Sequence, residues 1–266
     1  PIRYAWDLHF QYLRESGLDK GFKGWLAKYF LHKIRLWDIS TANRVDYYIA
    51  ISHYIARRIE KIYGKKADVI YPPVDTSSFT IGDTTENYYV TSSRMVPYKK
   101  IDLIVEALSQ TNHKLIVIGT GPDWEKVKAK AGKNVELLGY QSFENMIGII
   151  QKAKAYIFAA EEDFGIAPIE AQACGIPVIA FGKGATLETI IGSNATRENV
   201  QESDTGIFFE EQNINSLLNA ISVFEKNISK FDKDTIRANA LRFSKERFEK
   251  EFEEKINLIY KEWKQK

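Results

Sequence analysis

Cysteine is nearly absent. Cys174 is the single one in 266 residues, so no internal disulfide can form, and the chain fits a reducing compartment. Excess charge of one sign is missing too. The 37 basic and 35 acidic residues leave a net charge of +2, too balanced to argue for a nucleic-acid partner. No apolar run approaches the roughly 18 residues that a membrane-spanning helix needs. Histidine is sparse, and His9, His32, His53 and His113 are scattered without metal-ligand spacing. Proline is infrequent, but Pro72 and Pro73 stand together in YPPVD, where they resist both helix and strand pairing. That pair is the expected boundary between two parts of the chain. What is present is a composition 44% hydrophobic and 27% charged, the balance of a globular protein with a real core.

From residue 88 onward, short apolar strands alternate with helical stretches. Strands are expected at 88–92 (YYVTS), 115–118 (LIVI), 135–138, 155–158 (AYIF), 178–180 and 207–209. Helices are expected at 101–108, 124–131 and 142–152. This alternation predicts an α/β fold with a parallel sheet covered on both faces. Ligands of such sheets bind at the carboxyl ends of the strands. The first 75 residues differ: they are aromatic-rich and mostly helical, closing on a strand–helix–strand piece with a helix over 54–63. The tail, about 234–266, reads as helical, and Phe248, Phe252, Ile256, Ile259 and Trp263 mark an apolar stripe expected to pack on the body. The stretch KGFKGWLAKYFLHKIRLW (20–37) interleaves basic residues with Phe22, Leu26, Tyr29, Phe30, Ile34 and Trp37 on one helical face. It reads as a helix packed with a basic solvent face, or as one lying on a membrane surface.

The chemistry concentrates in EEDFGIAPIEAQACGIPVIA (161–180). Pro168 is tolerated only in a helix's first turn, so the helix after strand AYIF begins no earlier than about Ile166. Gly165 lets the backbone come close to a ligand. The free N–H groups of Phe164, Gly165, Ile166 and Ala167 then form an anion site at the positive end of the helix dipole. Glu162 lies in the loop before it and Glu170 about one turn inside the helix, each able to accept sugar or ribose hydroxyls. Taken alone, the two acids fit equally well as a solvated loop charge and a helix N-terminal acid. A second loop, SSRMVPYKKID, follows the first strand of the sheet and carries Arg94 and Lys99, with Lys100 opening the helix. Two cations, two carboxylates and a helix N-terminus on one strand edge predict a nucleotide-sugar diphosphate as ligand.

Several rival readings are weaker. GTGPDW at 119–124 lacks the third glycine of a dinucleotide fingerprint, which counts against a nicotinamide-dependent dehydrogenase. Asp232 and Asp234 form an Asp-x-Asp pair, but it falls in the helical tail and reads as solvated charge. Cys174 reads as core packing.

These motifs resemble one family. EEDFGIAPIEAQACGIPVIA resembles the E-x7-E signature of the large retaining glycosyltransferase family with two facing Rossmann-like domains, the GT-B fold. SSRMVPYKKID resembles that family's arginine-bearing donor loop, and YPPVD, VIGTGPD, VELLGY and FGKGATLETI follow in the family's order. EEDFGIAP and GKGATLETI are most similar to bacterial mannosyltransferases of surface polysaccharide, O-antigen or lipopolysaccharide assembly. The resemblance implies a Rossmann-like donor domain with a doubly wound parallel sheet at 75–234, a truncated acceptor-side Rossmann-like domain at 1–74, and a terminal helical segment, 235–266, packing back toward the first part. The opening PIRYAWDLHFQYL resembles a segment well inside the acceptor domain, so preceding residues are expected to be missing and catalysis by this stretch alone is doubtful.

The resemblance further implies a role for each residue. Arg94 and Lys99 would hold the diphosphate and stabilise the leaving group. Glu162 would hold hydroxyls of the transferred sugar and Glu170 the ribose. The backbone of Phe164, Gly165, Ile166 and Ala167 would bind phosphate and sugar. Gly119 and Gly121 would let the chain pass close to the nucleotide, and Leu138, Gly139 and Tyr140 would line the base. Where a second glycine is expected after Gly184, Ala185 stands instead. The implied reaction moves a sugar, mannose from GDP-mannose, to the hydroxyl of a glycan or lipid-linked acceptor with retained configuration. No cofactor or metal is expected. The implied location is cytoplasmic, peripheral on the inner face of the cell membrane. A sugar-nucleotide epimerase or phosphorylase on the same fold, or a non-catalytic nucleotide-sugar-binding subunit, are the alternatives.

Overall fold

In the second half of the chain, runs of four or five residues are apolar on both pleat faces, which only a sheet buried on both sides can satisfy. The structure, a computed structural model, describes residues 1–196 and 199–265. It divides into two units, Pro1–Ile70 with Lys255–Lys266, and Tyr71–Glu254.

The first unit holds α1 (His9–Glu15), α2 (Gly21–Ala42), β1 (Ile49–Ala50), α3 (His53–Tyr63) and β2 (Asp68–Val69), with β1 and β2 paired in parallel. Helix α3 has a strong start and stop. Ser52 accepts a hydrogen bond from the Ile55 N–H at 3.1 Å, and Gly64 ends the helix in the left-handed region. Helix α2 packs through Gly24, Ala27, Leu31, Ile34, Asp38 and Ala42, with buried Asp38 accepting from the Trp6 indole N–H at 2.7 Å. Ile34, expected on the aromatic face, therefore turns to the packed side. Phe22, Trp25, Tyr29, Phe30 and Trp37 stand exposed on α2.

The second unit is a seven-stranded parallel sheet of β3 (Tyr88–Ser92), β4 (Lys114–Ile118), β5 (Val135–Gly139), β6 (Ala155–Phe158), β7 (Val178–Phe181), β8 (Gly192–Asn194) and β9 (Gly206–Phe209). Its order is β5-β4-β3-β6-β7-β9-β8. The helices are α4 (Ile101–Ser109), α5 (Trp124–Lys130), α6 (Phe143–Ile150), α7 (Ile166–Ala173), α8 (Thr186–Thr189), α9 (Ile214–Lys226) and α10 (Lys233–Leu241), while α11 (Lys245–Lys264) begins in this unit and its residues from Lys255 on belong to the first. One sheet face buries Tyr89, Leu115, Val117, Ile157 and Ile179 with residues of α4 and α9. The other buries Val90, Ile116, Ile118, Tyr156 and Phe158 with residues of α7 and α10. Each fully buried aliphatic side chain contributes about 1.5–3 kcal/mol, so the two layers dominate the unit's stability.

The winding reverses at β3, apart from a local exchange at the far edge, where β9 lies between β7 and β8. From β3 the chain goes outward to β4 and β5, then returns to lay β6 on the other side of β3. The crevice of a doubly wound sheet opens at that switch point, here between the carboxyl ends of β3 and β6.

The tail differs from one continuous helix. It breaks at Arg242–Ser244, where Phe243 is fully buried, Val74 N–H donates to its carbonyl at 2.8 Å, and Ser244 accepts from the Arg247 N–H. Asp232 is the N-cap of α10, accepting from the Thr235 N–H at 2.8 Å. No residue of α11 is buried: Phe248 and Ile259 are half-covered, while Phe252, Ile256 and Trp263 are exposed. The expected packed stripe is thus mostly open, because periodicity marks an apolar face without supplying its partner.

Candidate active site

Two chain reversals at the carboxyl edge build the site. After β3, the loop of Ser93 and Arg94 runs against the turn that follows β4. Ser93 N–H donates to the Ile118 carbonyl at 3.0 Å and Met95 N–H to the Thr120 carbonyl at 2.9 Å. This contact explains Gly119 and Gly121 directly: a Cβ would lie 2.0 Å from the Ser93 carbonyl oxygen at the first and 2.3 Å from that of Met95 at the second. The glycines are needed for the loops to meet, before any ligand is considered.

After β6, Gly165 takes φ 89° and α7 starts at Ile166, with Pro168 in its first turn. A non-glycine residue at 165 would carry left-handed strain. The amides of Ile166 and Ala167 sit in the first turn of α7, at the positive end of its dipole. Phe164 turns inward, stacking on Tyr71 and meeting Phe243 edge-on, so only its backbone is available to a ligand. The loop after β7 closes on the same segment. Glu162 and Gly184 form a parallel bridge, and Ala185 N–H donates to the Glu162 carbonyl at 2.9 Å. The Ala185 methyl is fully buried there.

A cleft of about 580 Å³ results, lined by Ser92, Ser93, Arg94, Ile118, Gly119, Thr120, Gly121, Tyr140, Gln141, Met146, Ala167 and Glu170. It gathers Arg94, Gly119, Gly121, Tyr140, Ala167 and Glu170 from four separate stretches. Leu138 is half-covered against the core and Gly139, with φ 69°, turns the chain toward Tyr140, whose ring is 81% exposed. Arg94 is exposed, and among the described residues no carboxylate pairs with it. Lys99 and Glu162 do not line the cleft. They pair with each other, Lys99 Nζ lying 2.5 Å from Glu162 Oε1 and over the Phe158 ring at the end of β6. Ser92, Ser93 and Thr120 lie within the quoted motifs but drew no role from the sequence, and Gln141 and Met146 were not marked, since uncharged side chains of these types carry no chemical signature.

Two groups are perturbed. Burial pushes the Glu170 carboxyl above its ordinary range, and the negative charge of Asp75 adds to this. The Tyr156 phenol is fully buried and pushed up to about 12 by that burial. Its oxygen accepts from the Ser92 N–H at 3.1 Å and donates to the Ser92 carbonyl at 2.8 Å, holding the strand end that enters the cleft. A larger cavity, about 740 Å³, lies against β8 and α8, lined by Leu187, Glu188, Asn194 and Arg242 among others. None of the residues expected to bind the donor lines it.

Residues 76–242 match the sequence profile of the family described as glycosyl transferases group 1. The chain belongs to that family. This group 1 glycosyltransferase chain is 27% identical over 206 residues to an uncharacterised glycosyltransferase of Methanocaldococcus jannaschii, covering 75% of this chain and 55% of the relative. It is 29% identical over 178 residues to a GDP-mannose-dependent monoacylated alpha-(1-6)-phosphatidylinositol monomannoside mannosyltransferase of Corynebacterium glutamicum, covering 55% and 47%. It is 25% identical over 209 residues to an O-antigen chain mannosyltransferase of Salmonella typhimurium, covering 74% and 59%. The chain therefore spans about half the length of these curated relatives. Its fold is shared with sucrose-phosphate synthase of Thermosynechococcus elongatus, at a TM-score of 0.73, 19% identity, and coverage of 86% of this chain and 62% of the other.

Proposed function

We propose that the cleft binds a nucleoside diphosphate sugar, with mannose on GDP as the leading donor, and that the protein transfers the sugar to an acceptor hydroxyl with retained configuration. The single observation that carries this is the convergence of Arg94, the glycine turn 119–121, Glu170 and the first turn of α7 in one cleft at the sheet's switch point. The guanidinium fork and the helix amides suit a diphosphate. The half-buried Glu170 suits ribose hydroxyls. Mannose rests on the mannosyltransferases among the relatives.

In this reading the bond from sugar to phosphate breaks through an oxocarbenium-like state. Negative charge grows on the departing phosphate, where Arg94, Lys99 and the α7 N-terminus stabilise it. The departing oxygen takes the acceptor's proton on the same face, so no separate base is required, and Glu162 holds sugar hydroxyls rather than attacking. No step calls for a metal. The acceptor is a glycan or lipid-linked sugar, reached from the cytoplasmic face of a membrane. Basic residues between the exposed aromatics of α2 fit that placement.

Calorimetric titration with GDP, UDP, ADP and GDP-mannose in the presence of EDTA tests the reading. Binding of one nucleotide and its sugar, lost in Arg94→Ala, is expected. In the full-length enzyme the same substitution is expected to lower turnover on the order of 10²-fold, the cost of one oxyanion donor. Undiminished binding in Arg94→Ala, or no binding to wild type, overturns the assignment.

A further inference from the structure

The cleft crosses the ends of four neighbouring strands, and its chemistry changes along the way. In the order β6, β3, β4, β5 it presents the first turn of α7, then Arg94, then the glycine turn 119–121, then Tyr140 and Gln141. Three strand spacings of about 4.8 Å make that path roughly 14 Å long, the reach of an extended nucleoside diphosphate. The charged side chains lining the cleft, Arg94 and Glu170, both stand toward the β3 and β6 end. The diphosphate belongs there, which leaves the base beside Gln141.

The polar side chains at that far end are those of Thr120, Tyr140 and Gln141. The first two are hydroxyls, which turn to donate or accept as a ligand requires. The Gln141 amide is fixed. Its Nε2 donates to the Leu138 carbonyl at 3.0 Å, and the reverse orientation would set two oxygens against each other. The backbone carrying it is held on both sides, by Gly139 at φ 69° and by Ser142, which caps α6 by accepting from the Asn145 N–H at 3.3 Å. Among the described residues Gln141 Oε1 has no partner, and it is open to solvent. It can only accept.

We propose that Gln141 makes this cleft select guanine. The inference rests on the donor-site reading above and assigns the choice of base to a side chain. Guanine sets two donors side by side, N1–H and the 2-amino group, and one carboxamide oxygen with two lone pairs serves both. Uracil offers a single N3–H between two carbonyl oxygens, which oppose Oε1. Adenine offers its 6-amino group beside N1, an acceptor that opposes Oε1 in the same way.

The experiment is calorimetric titration of wild type, Gln141→Met and Gln141→Glu with GDP, inosine diphosphate, UDP and ADP. Inosine diphosphate differs from GDP only in lacking the 2-amino group. Wild type is expected to bind GDP tightest, on the order of tenfold tighter than inosine diphosphate. Met keeps the length of the side chain but not its acceptor, so Gln141→Met is expected to lose about tenfold for GDP and to bind GDP and inosine diphosphate alike. Gln141→Glu still presents acceptor oxygens and is expected to keep the preference. Equal losses for all four ligands in Gln141→Met, or a preference lost in both variants, would reduce position 141 to a wall of the cleft and overturn the proposal. A GDP preference that survives in Gln141→Met would mean the 2-amino group is read elsewhere, and it overturns the proposal too, as does a wild type that binds all four alike or prefers another base. Melting of both variants near the wild-type temperature separates base reading from damage to the fold. If wild type binds none of the four, the donor-site reading fails and this inference with it.

Discussion

At the residue scale, Glu170 and Tyr156 carry the sharpest consequences. Glu170 lies in the cleft with its carboxyl raised by burial and by Asp75. A raised folded-state pKa means the fold disfavours the ionised form. Below the unfolded value both states are protonated and no penalty exists; the penalty grows as pH rises through the folded value. Glu170→Gln is therefore expected to melt higher than wild type at pH 7, with the two converging in acid. Its nucleotide affinity is expected to fall, since the charged acceptor is lost. Melting scans across pH beside one titration check both halves of that trade.

Tyr156 acts through the chain it holds. Its phenol is the partner of both the Ser92 N–H and carbonyl, and Ser92 lines the cleft. Tyr156→Phe keeps the ring in the core but strands these groups, costing about 1–3 kcal/mol. We expect a lower Tm together with weaker nucleotide binding. A lower Tm with unchanged affinity would confine the phenol to a supporting role in the fold.

At the element scale, α2 shows most clearly what a pattern leaves open. Its sequence reads as amphipathic, yet Phe22, Trp25, Tyr29 and Trp37 are all exposed, with Lys23, Lys28 and Lys33 between them. An aromatic face with interleaved ammonium groups suits the headgroup region of an anionic bilayer. The chain is expected to sediment with phosphatidylglycerol vesicles at low salt and to release as salt rises. The variant Trp25→Ser/Trp37→Ser is expected to weaken that binding, and failure of wild type to sediment removes the membrane reading. Helix α7 is the contrasting case. Gly165 and Pro168 fixed its first residue in advance, because one supplies the turn and the other permits only a first-turn position.

At the scale of the whole molecule, the chain divides at Ile70 and Tyr71, beside the proline pair. Every residue lining the cleft belongs to the second unit, as do Lys99 and Glu162. That unit includes α10, whose Arg237 guanidinium donates to the carbonyls of Phe79 and Ala173, the latter closing the last turn of α7. A polypeptide of residues 71–254 is therefore expected to fold and to bind the same nucleotide as the whole chain, with a Kd within a few-fold. Cutting at 234 instead would remove α10 and is expected to abolish cooperative unfolding. Circular dichroism melts and the same titration separate these outcomes.

Much of this was already determined by the sequence. The alternation of apolar runs fixed the strands, their burial on both faces and hence a parallel sheet, because only backbone groups paired in a covered sheet can lie among such residues. Two motifs fixed which loops carry charge. The sequence left β8 unmarked, since Gly-Ser-Asn at an edge carries no apolar signal, and it could not see the break at Phe243, which a contact with Tyr71 and Phe164 imposes. Only the tertiary structure decided that Arg94 and Glu170 share a cleft while Lys99 and Glu162 hold each other. Pairing between residues 63 positions apart depends on where β3 and β6 end side by side, a consequence of sheet order that no local pattern encodes.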